Sequence, residues 1–398
     1  TRRDNMHKAR FPEAKQAPFD TARLDALLEE EGIDVLVATS KHNVEYLLGG
    51  YRFFFFDYTD ALGVSRYLPV VIYQRGRPDN TAYIGHFMES YEEELGKLWP
   101  RVFQTTSANS TGAIQEAVEY IKNLPGPTRK VGVEGSFLPW DGAKLLQEGL
   151  GNCQIIDAHF PLERLRARKT HAELTYLREA SERVVNSMLE VFAGCAPGQT
   201  KNEIVGRLRQ EEAARDLSFE YCLITAGKNF NRAPSDQRLE AGDIVSLDSG
   251  GRYRGYIGDL CRMGILGEPD AELIDLLGLI EEIQQRARKP IRSGITGTEI
   301  FAAADELLRV SPHHAYLSFT AHGMGLISHE APRLTSKHSE GYEGYDADRP
   351  LEAGMVISIE TTMTHPWRGF IKLEDTIAVI DEGCLSFGDH GRGWNRAR

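Results

Sequence analysis

The apolar and polar positions of the chain follow two rhythms. In the first part, short apolar runs alternate with helical stripes. Residues 19–31 carry Leu24, Leu27 and Leu28 at helical spacing, with Gly32 as the stop. Residues 34–38 read as a short buried strand, and 44–48 as a short helix start ending at Gly49-Gly50. Residues 70–73 and 81–84 read as strands around the turn residues 75–80; 113–123 is an amphipathic helix and 130–134 another strand. Helix alternating with strand predicts an α/β layer, a sheet backed by helices. Residues 1–19 read as an arm with little pattern. Residues 157–168 are charged with few helix or strand cues, and the domain boundary is placed there, giving domains 1–165 and 166–398.

The second part opens with one long helix over 171–192. Leu174, Leu177, Ala180, Val184, Val185, Met188 and Val191 fall on one face, and Ala196-Pro197-Gly198 ends it. Thr200 caps a second helix over 200–215, with Glu203 three residues on. Strands are predicted over 239–247, 253–265, 355–360 and 376–380, and helices over 271–288 and 298–310. This half is therefore α+β, with antiparallel strands and a few long helices on one side.

Length and composition narrow the function classes. At 398 residues the chain suits two domains of ~100–200 residues each. Apolar residues at 41% and charged residues at 26% exclude disorder as the main state. A net charge of −12, from 58 acids against 46 bases, argues against nucleic-acid binding and against adhesion to anionic membranes. No run approaches the ~18 apolar residues of a membrane span, and the first residues lack the apolar centre of a secretion signal. Five scattered cysteines without a CxxC pair suggest reduced thiols and a cytoplasmic chain.

Four segments of the second half carry candidate chemistry. In residues 245–259, Asp248 and Asp259 sit in or near two strand-like runs. Gly250-Gly251 between them signals a hairpin, which would bring the two carboxylates to neighbouring strands. Residues 322–332 hold His322, His329 and Glu330 among glycines that let backbone pass close to a site. Residues 354–360 and 369–376 place Glu360 and Glu374 in or beside apolar strands, where a carboxylate is costly to bury unless paired or metal-bound. Singly, each has an ordinary structural reading: a turn or cap aspartate, a satisfied histidine, a solvent-facing glutamate. Together, two Asp, two Glu and one His make a hard, mostly oxygen donor set. Four carboxylates cannot all stay ionised close together without cations between them. Two divalent ions about 3.5–4 Å apart would balance that charge and acidify a water held between them. One imidazole among carboxylates suits Mn, Fe, Co or Zn better than Mg or Ca.

The order and surroundings of these residues resemble the pita-bread metallopeptidases, family M24, the family of methionine aminopeptidase, aminopeptidase P and prolidase. The resemblance rests on Asp248, Asp259, His322, Glu360 and Glu374 in that order, within LEAGDIVSLDSG, AHGMGLISHEAP, LEAGMVISIE and GFIKLEDTIAV. The first half resembles the creatinase/prolidase N-terminal domain through its helix–strand opening and the stretch SKHNVEYL from Ser40. The fold implied is α+β: a C-terminal pita-bread domain behind a smaller α/β domain. The activity implied is a dinuclear-metal-dependent hydrolase of the Xaa-Pro dipeptidase or aminopeptidase P type, cleaving a short peptide or small amide. By the same resemblance Asp248 would chelate one metal ion, Asp259 and Glu374 would bridge both, and His322 and Glu360 would hold the other. Glu360 would shuttle a proton and His329 would stabilise the tetrahedral intermediate. A homodimer is implied as well, with the N-terminal domain of one subunit bordering the active site of the other.

The chain departs from that family pattern at several points. Asn231 or Arg232 stands where a histidine is usual, Lys372 replaces an arginine, and residues 361–368, including Trp367 and Arg368, lack the usual Pro-Gly turn. These positions would shape an altered pocket. The run Phe53–Phe56 after Gly49-Gly50 cannot all face one core from a strand, because strand side chains alternate; it would either cover a ligand in a dimer or form an aromatic cluster. Other chemistries on the same fold are a metal-dependent lyase of the dimethylsulfoniopropionate type, a creatinase-like C–N hydrolase without metal, and a non-catalytic peptide-binding module. The last two lose the ligands, so the complete set counts against them.

Overall fold

Asp20 accepts a hydrogen bond from the backbone of Arg23 and so caps the first helix, α1 (Thr21–Glu30), whose Leu24, Leu27 and Leu28 are buried. Gly32 ends it in the left-handed conformation at φ 67°. This computed structural model describes residues 16–61, 63–334 and 343–397, so the arm expected ahead of α1 lies outside the described residues up to position 15. The chain divides into two compact units between Leu165 and Arg166.

The first unit is a six-stranded sheet. Its strands are β1 (Val35–Ala38), β2 (Val70–Gln74), β3 (Arg77–His86), β4 (Val102–Ser107), β5 (Lys130–Val133) and β6 (Gln154–Asp157), in the order β4-β3-β2-β1-β5-β6. Strand β1 runs antiparallel to β2 and parallel to β5. Its side chains feed two cores: Leu36 and Ala38 pack with α1 and α2 (Lys41–Leu47), while Val35 and Val37 pack with the later helices α4 (Ser110–Lys122) and α5 (Trp140–Gly149). A strand buried on both faces reads as a continuous apolar run, as residues 35–38 do. The short α3 (Ser90–Glu93) follows β3.

One expectation needs correction here. Residues 157–168 are not irregular: α6 (His159–Ala167) occupies most of them. Its charge misleads because Glu163 and Arg166 are themselves buried, at 0% and 2% exposure. The phenylalanines lie off the strands and contribute to an aromatic cluster. Phe54–Asp57 is a 3-10 turn that buries Phe53 and Phe56 beside Tyr67 and leaves Phe54 56% exposed.

In the second unit, capping boxes at Thr170 with Glu173 and at Thr200 with Glu203 start α7 (His171–Ala193) and α8 (Lys201–Ala214). The sheet consists of β7 (Ser218–Ala226), β8 (Ile244–Tyr253), β9 (Tyr256–Ile265), β10 (Leu317–Gly323), β11 (Val356–His365) and β12 (Gly369–Ile380), in the order β10-β11-β12-β9-β8-β7 with neighbours antiparallel. Strand β13 (Gly383–Phe387) adds to β12, and β14 (Asn395–Arg396) to β9. Helices α7 and α8 pack Val184 and Leu208 against Leu247 and Leu260. Helices α9 (Ala271–Arg288) and α10 (Gly297–Leu308) pack Ile283 and Ile300 against Ile357 and Ile359. Among the described residues no helix is long and apolar enough to cross a membrane.

The β8–β9 hairpin exists, but its turn is not at Gly250-Gly251. Pairing continues through Gly250↔Asp259 to Tyr253↔Tyr256, and the chain reverses at Arg254 (φ 53°) and Gly255 (φ 87°). The two glycines serve close packing instead: a Cβ on Gly250 would come within 3.0 Å of Tyr221 and Ile257, and one on Gly251 within 3.0 Å of Glu212 and Val184.

Candidate metal centre

Alternation along the strands sorts the second unit's sheet into two faces. Leu247, Leu260, Ala321, Ile359 and Leu373 lie in the helix-packed cores. Their immediate neighbours Asp248, Asp259, His322, Glu360 and Glu374 turn to the other face. Register then gathers them. Asp248 pairs with Cys261, Cys261 with Glu374, and Glu374 with Glu360, so three carboxylates share a row across the sheet. Asp259, two residues before Cys261, and His322, opposite Ser358, flank that row on one side. Lys372, two residues before Glu374, flanks it on the other. The five residues expected as ligands thus reach one face, and all but the half-buried Glu360 are fully buried.

The donor atoms converge around His322. Donor atoms of Asp259, His322 and Glu374 lie within 4.8 Å of one another, and so do those of His322, His329 and Glu360. His322 Nδ1 lies 3.1 Å from the carbonyl of Gly323, and Nε2 is buried with no hydrogen-bond partner. That nitrogen is 3.2 Å from Glu360 Oε1 and 3.7 Å from Glu374 Oε1, close to both but without a directed bond. With Nδ1–H donating to the carbonyl, Nε2 faces the carboxylates. A buried imidazole nitrogen aimed at anionic oxygens fits a divalent cation.

Around this core the partners are fixed. Tyr221 on β7 donates to Asp259 Oδ1 at 2.5 Å, and Ser358 donates to Glu374 Oε1 at 2.9 Å. Lys372 Nζ sits 2.6 Å from Asp248 Oδ2, 2.5 Å from Glu360 Oε2 and 2.8 Å from Glu374 Oε2. The Arg232 guanidinium also donates to Asp248 Oδ2, and it lies 4.9 Å over the Phe370 ring. Asp248 therefore faces two cations of the chain and, among the described residues, belongs to neither convergent group. His329 stacks on His322 with ring centroids 3.7 Å apart. Its loop is pinned by Glu330, whose carboxylate accepts from Arg166 and, at 3.1 Å, from Lys169 Nζ.

Burial and charge set the proton balance. Burial pushes the Asp259 carboxyl well above its usual range, with Glu374 and Asp248 adding to the effect. Glu374 is raised for the same reasons, burial first and then Glu360. Glu360 goes the other way: burial opposes, but Lys372 and His322 hold it below the carboxylate range. Burial would lower His322, yet Glu360 and Glu374 outweigh it and favour an imidazolium. A divalent ion held by these residues would supply positive charge in place of that proton. His329 is pushed down to about 3 by burial and by the charge on His322.

Trp367 and Arg368 are not part of this constellation. Arg368 binds Glu272 and, at 2.7 Å, Asp270 at the start of α9, and Trp367 packs edge-on against His365. Sequence reasoning flagged Arg232 and Lys372 as departures but did not pair them with Asp248. It missed Tyr221 because β7 was not recognised; the alternation of Phe219 and Tyr221 with Glu220 was the available signal.

The pattern defining metallopeptidase family M24 matches residues 175–381, and that of the creatinase/prolidase N-terminal domain matches residues 21–168. An uncharacterized peptidase of Bacillus subtilis, YqhT, is 24% identical over 367 residues, covering 91% of this chain and 95% of its own length. A Xaa-Pro dipeptidase of Pyrococcus furiosus is 26% identical over 68% of this chain and 75% of its own. The solved structure of a Xaa-Pro dipeptidase from Bacillus anthracis superposes with a TM-score of 0.78 at 24% identity, covering 93% of this chain and 97% of its own. The fold is the expected one, α+β, with a smaller α/β unit followed in sequence by a C-terminal pita-bread unit.

Proposed function

The chain belongs to metallopeptidase family M24, and from that membership we propose that it is a metal-dependent hydrolase of the Xaa-Pro dipeptidase or aminopeptidase P type, acting on a short peptide or small amide. The observation that carries this reading is the buried, unpartnered His322 Nε2 beside the carboxylates of Glu360 and Glu374. Asp259, His322 and Glu374 would hold a divalent ion of the Mn, Fe, Co or Zn class, with Glu360 at its edge; a pair of ions would draw on Asp248 as well. A bound ion of this class supplies Lewis acidity and a water of lowered pKa.

The chain's own residues would do the rest. Glu360, ionised beside Lys372, accepts a proton and passes it to the leaving nitrogen. His329, neutral and stacked on His322, presents an N–H to the oxyanion that develops on the substrate carbonyl. Tyr221 and Ser358 orient the carboxylates of Asp259 and Glu374. Residues 1–165 would form the N-terminal domain and 166–398 the catalytic one. A homodimer, with the exposed Phe54 near a partner's pocket, completes the reading, and five free cysteines suit a reducing cytoplasm.

The test is a screen of the metal-reconstituted chain against Xaa-Pro dipeptides, tripeptides with a penultimate proline, small amides and sulfonium compounds. Hydrolysis of Xaa-Pro substrates is expected. Turnover of a sulfonium compound with no peptide cleavage would overturn the peptidase reading in favour of a lyase.

A further inference from the structure

We infer that Lys372 takes the place and the charge of a second metal ion, so that this chain seats one divalent ion at Asp259, His322 and Glu374 rather than a pair. The inference rests on the metal-hydrolase reading above and refines it.

The geometry of Lys372 is that of a bound cation. Its Nζ has three donors, and it has three carboxylate oxygens within 2.8 Å, on Asp248, Glu360 and Glu374. Its side chain is only 4% exposed, so the ammonium has no open solvent to turn into. Two of them, Asp248 and Glu374, are acids that an ion on the Asp248 side would need. Asp248 is occupied twice over, because its Oδ2 also accepts from Arg232. Arg232 is not a loose surface residue. Its carbonyl accepts from the backbone of Ile224 on β7 at 2.8 Å, and the carbonyl of Asn231 before it accepts from the buried Lys201 Nζ at 2.7 Å. With its guanidinium over Phe370, it is held on Asp248 from three sides.

Charge leads to the same count. Asp248, Asp259, Glu360 and Glu374 bring four negative charges when ionised, and Lys372 with Arg232 offsets two of them. One divalent ion neutralises the remainder; a second would leave an excess of positive charge in a buried site, beside a fixed ammonium. The two halves of the site differ accordingly. On the His322 side an imidazole nitrogen without a hydrogen-bond partner faces carboxylates, and on the Asp248 side two cations of the chain already hold Oδ2 of Asp248.

The experiment counts metal rather than turnover. The full-length chain is stripped of metal, reloaded with excess Mn(II), gel-filtered and assayed for bound manganese by mass spectrometry, with titration calorimetry and electron paramagnetic resonance alongside. Wild type is expected to retain one equivalent and show no spin-coupled pair. Lys372→Gln is expected to retain a second equivalent, with the coupled signal appearing. Asp248→Asn, which leaves the His322 side intact, is expected to keep the single equivalent with a Kd within about tenfold of wild type. Two equivalents in wild type, no gain in Lys372→Gln, or loss of the ion in Asp248→Asn would each overturn the inference. Two equivalents would leave the metal-hydrolase reading standing, whereas no bound metal in wild type would overturn both. If Lys372→Gln fails to fold, wild type and Asp248→Asn decide the matter.

Discussion

Two imidazoles stacked 3.7 Å apart do not readily both become imidazolium, and in this site the partition is decided by neighbours. His322 faces Glu360 and Glu374, whereas burial and the charge on His322 push His329 down to about 3. His329 is therefore held neutral at physiological pH. His329→Ala is expected to retain metal and to lose about 10²–10³ in kcat, the usual cost of removing one oxyanion donor; steady-state kinetics beside metal analysis checks this, and unchanged kcat would show that the residue has another task. Asp259→Ala and Glu374→Ala act differently. Each removes an oxygen from the group around His322, so metal uptake and activity are expected to vanish together. At this scale the sequence was most informative about the acids and the histidines, since residue type, order and local context identify them. The partners of Asp248 were hidden, because Lys372 is more than a hundred residues away from it in the chain and only strand register brings the two together.

Among the elements, β12 shows why part of the fold was illegible. The sequence suggested a strand from 376, but it begins at Gly369 and carries Lys372, Glu374 and Asp375 through its middle. Charges inside a strand read as loop unless their partners are known. Here Lys372 binds three carboxylates, and Asp375 is clasped by Arg262, Arg288 and Arg392. His322 likewise sits at the end of β10 rather than in a glycine-rich loop. The amphipathic helices were legible because their burial follows sequence period, as in α7. Where α8 meets β8, a buried acid gives a test of that packing. Glu212 accepts from Ser249 at 2.7 Å, and burial raises its carboxyl to about 8. In the unfolded chain the same group ionises near its ordinary value of 4.5. The stability that the neutral form confers is present below that value and is lost as pH rises through about 8. Glu212→Gln is therefore expected to melt above wild type at pH 8 and to approach it at pH 4.5. Parallel melting curves across that range would remove the claim that this carboxyl is buried neutral.

For the whole molecule, the chain reads as a placement device: five strands of the second unit's sheet deliver five metal-type donors, one each, to one face, and helices cover the other. That much was visible in the order of the motifs, and the first unit's α/β rhythm was visible in its alternating runs. The turn position in β8–β9, the helix at His159–Ala167 and the 3-10 turn at Phe54–Asp57 were not, since each depends on what packs against it. The proposed dimer predicts a light-scattering mass of twice the chain's, and Phe54→Ser is expected to raise KM if that loop borders a partner's pocket; a monomer with unaltered KM would remove the role. The most direct measurement of the central claim is Xaa-Pro dipeptide hydrolysis before and after exhaustive chelation. The account predicts that activity disappears with the metal and returns when Mn(II) is restored. Full activity in a chain stripped of metal would contradict it.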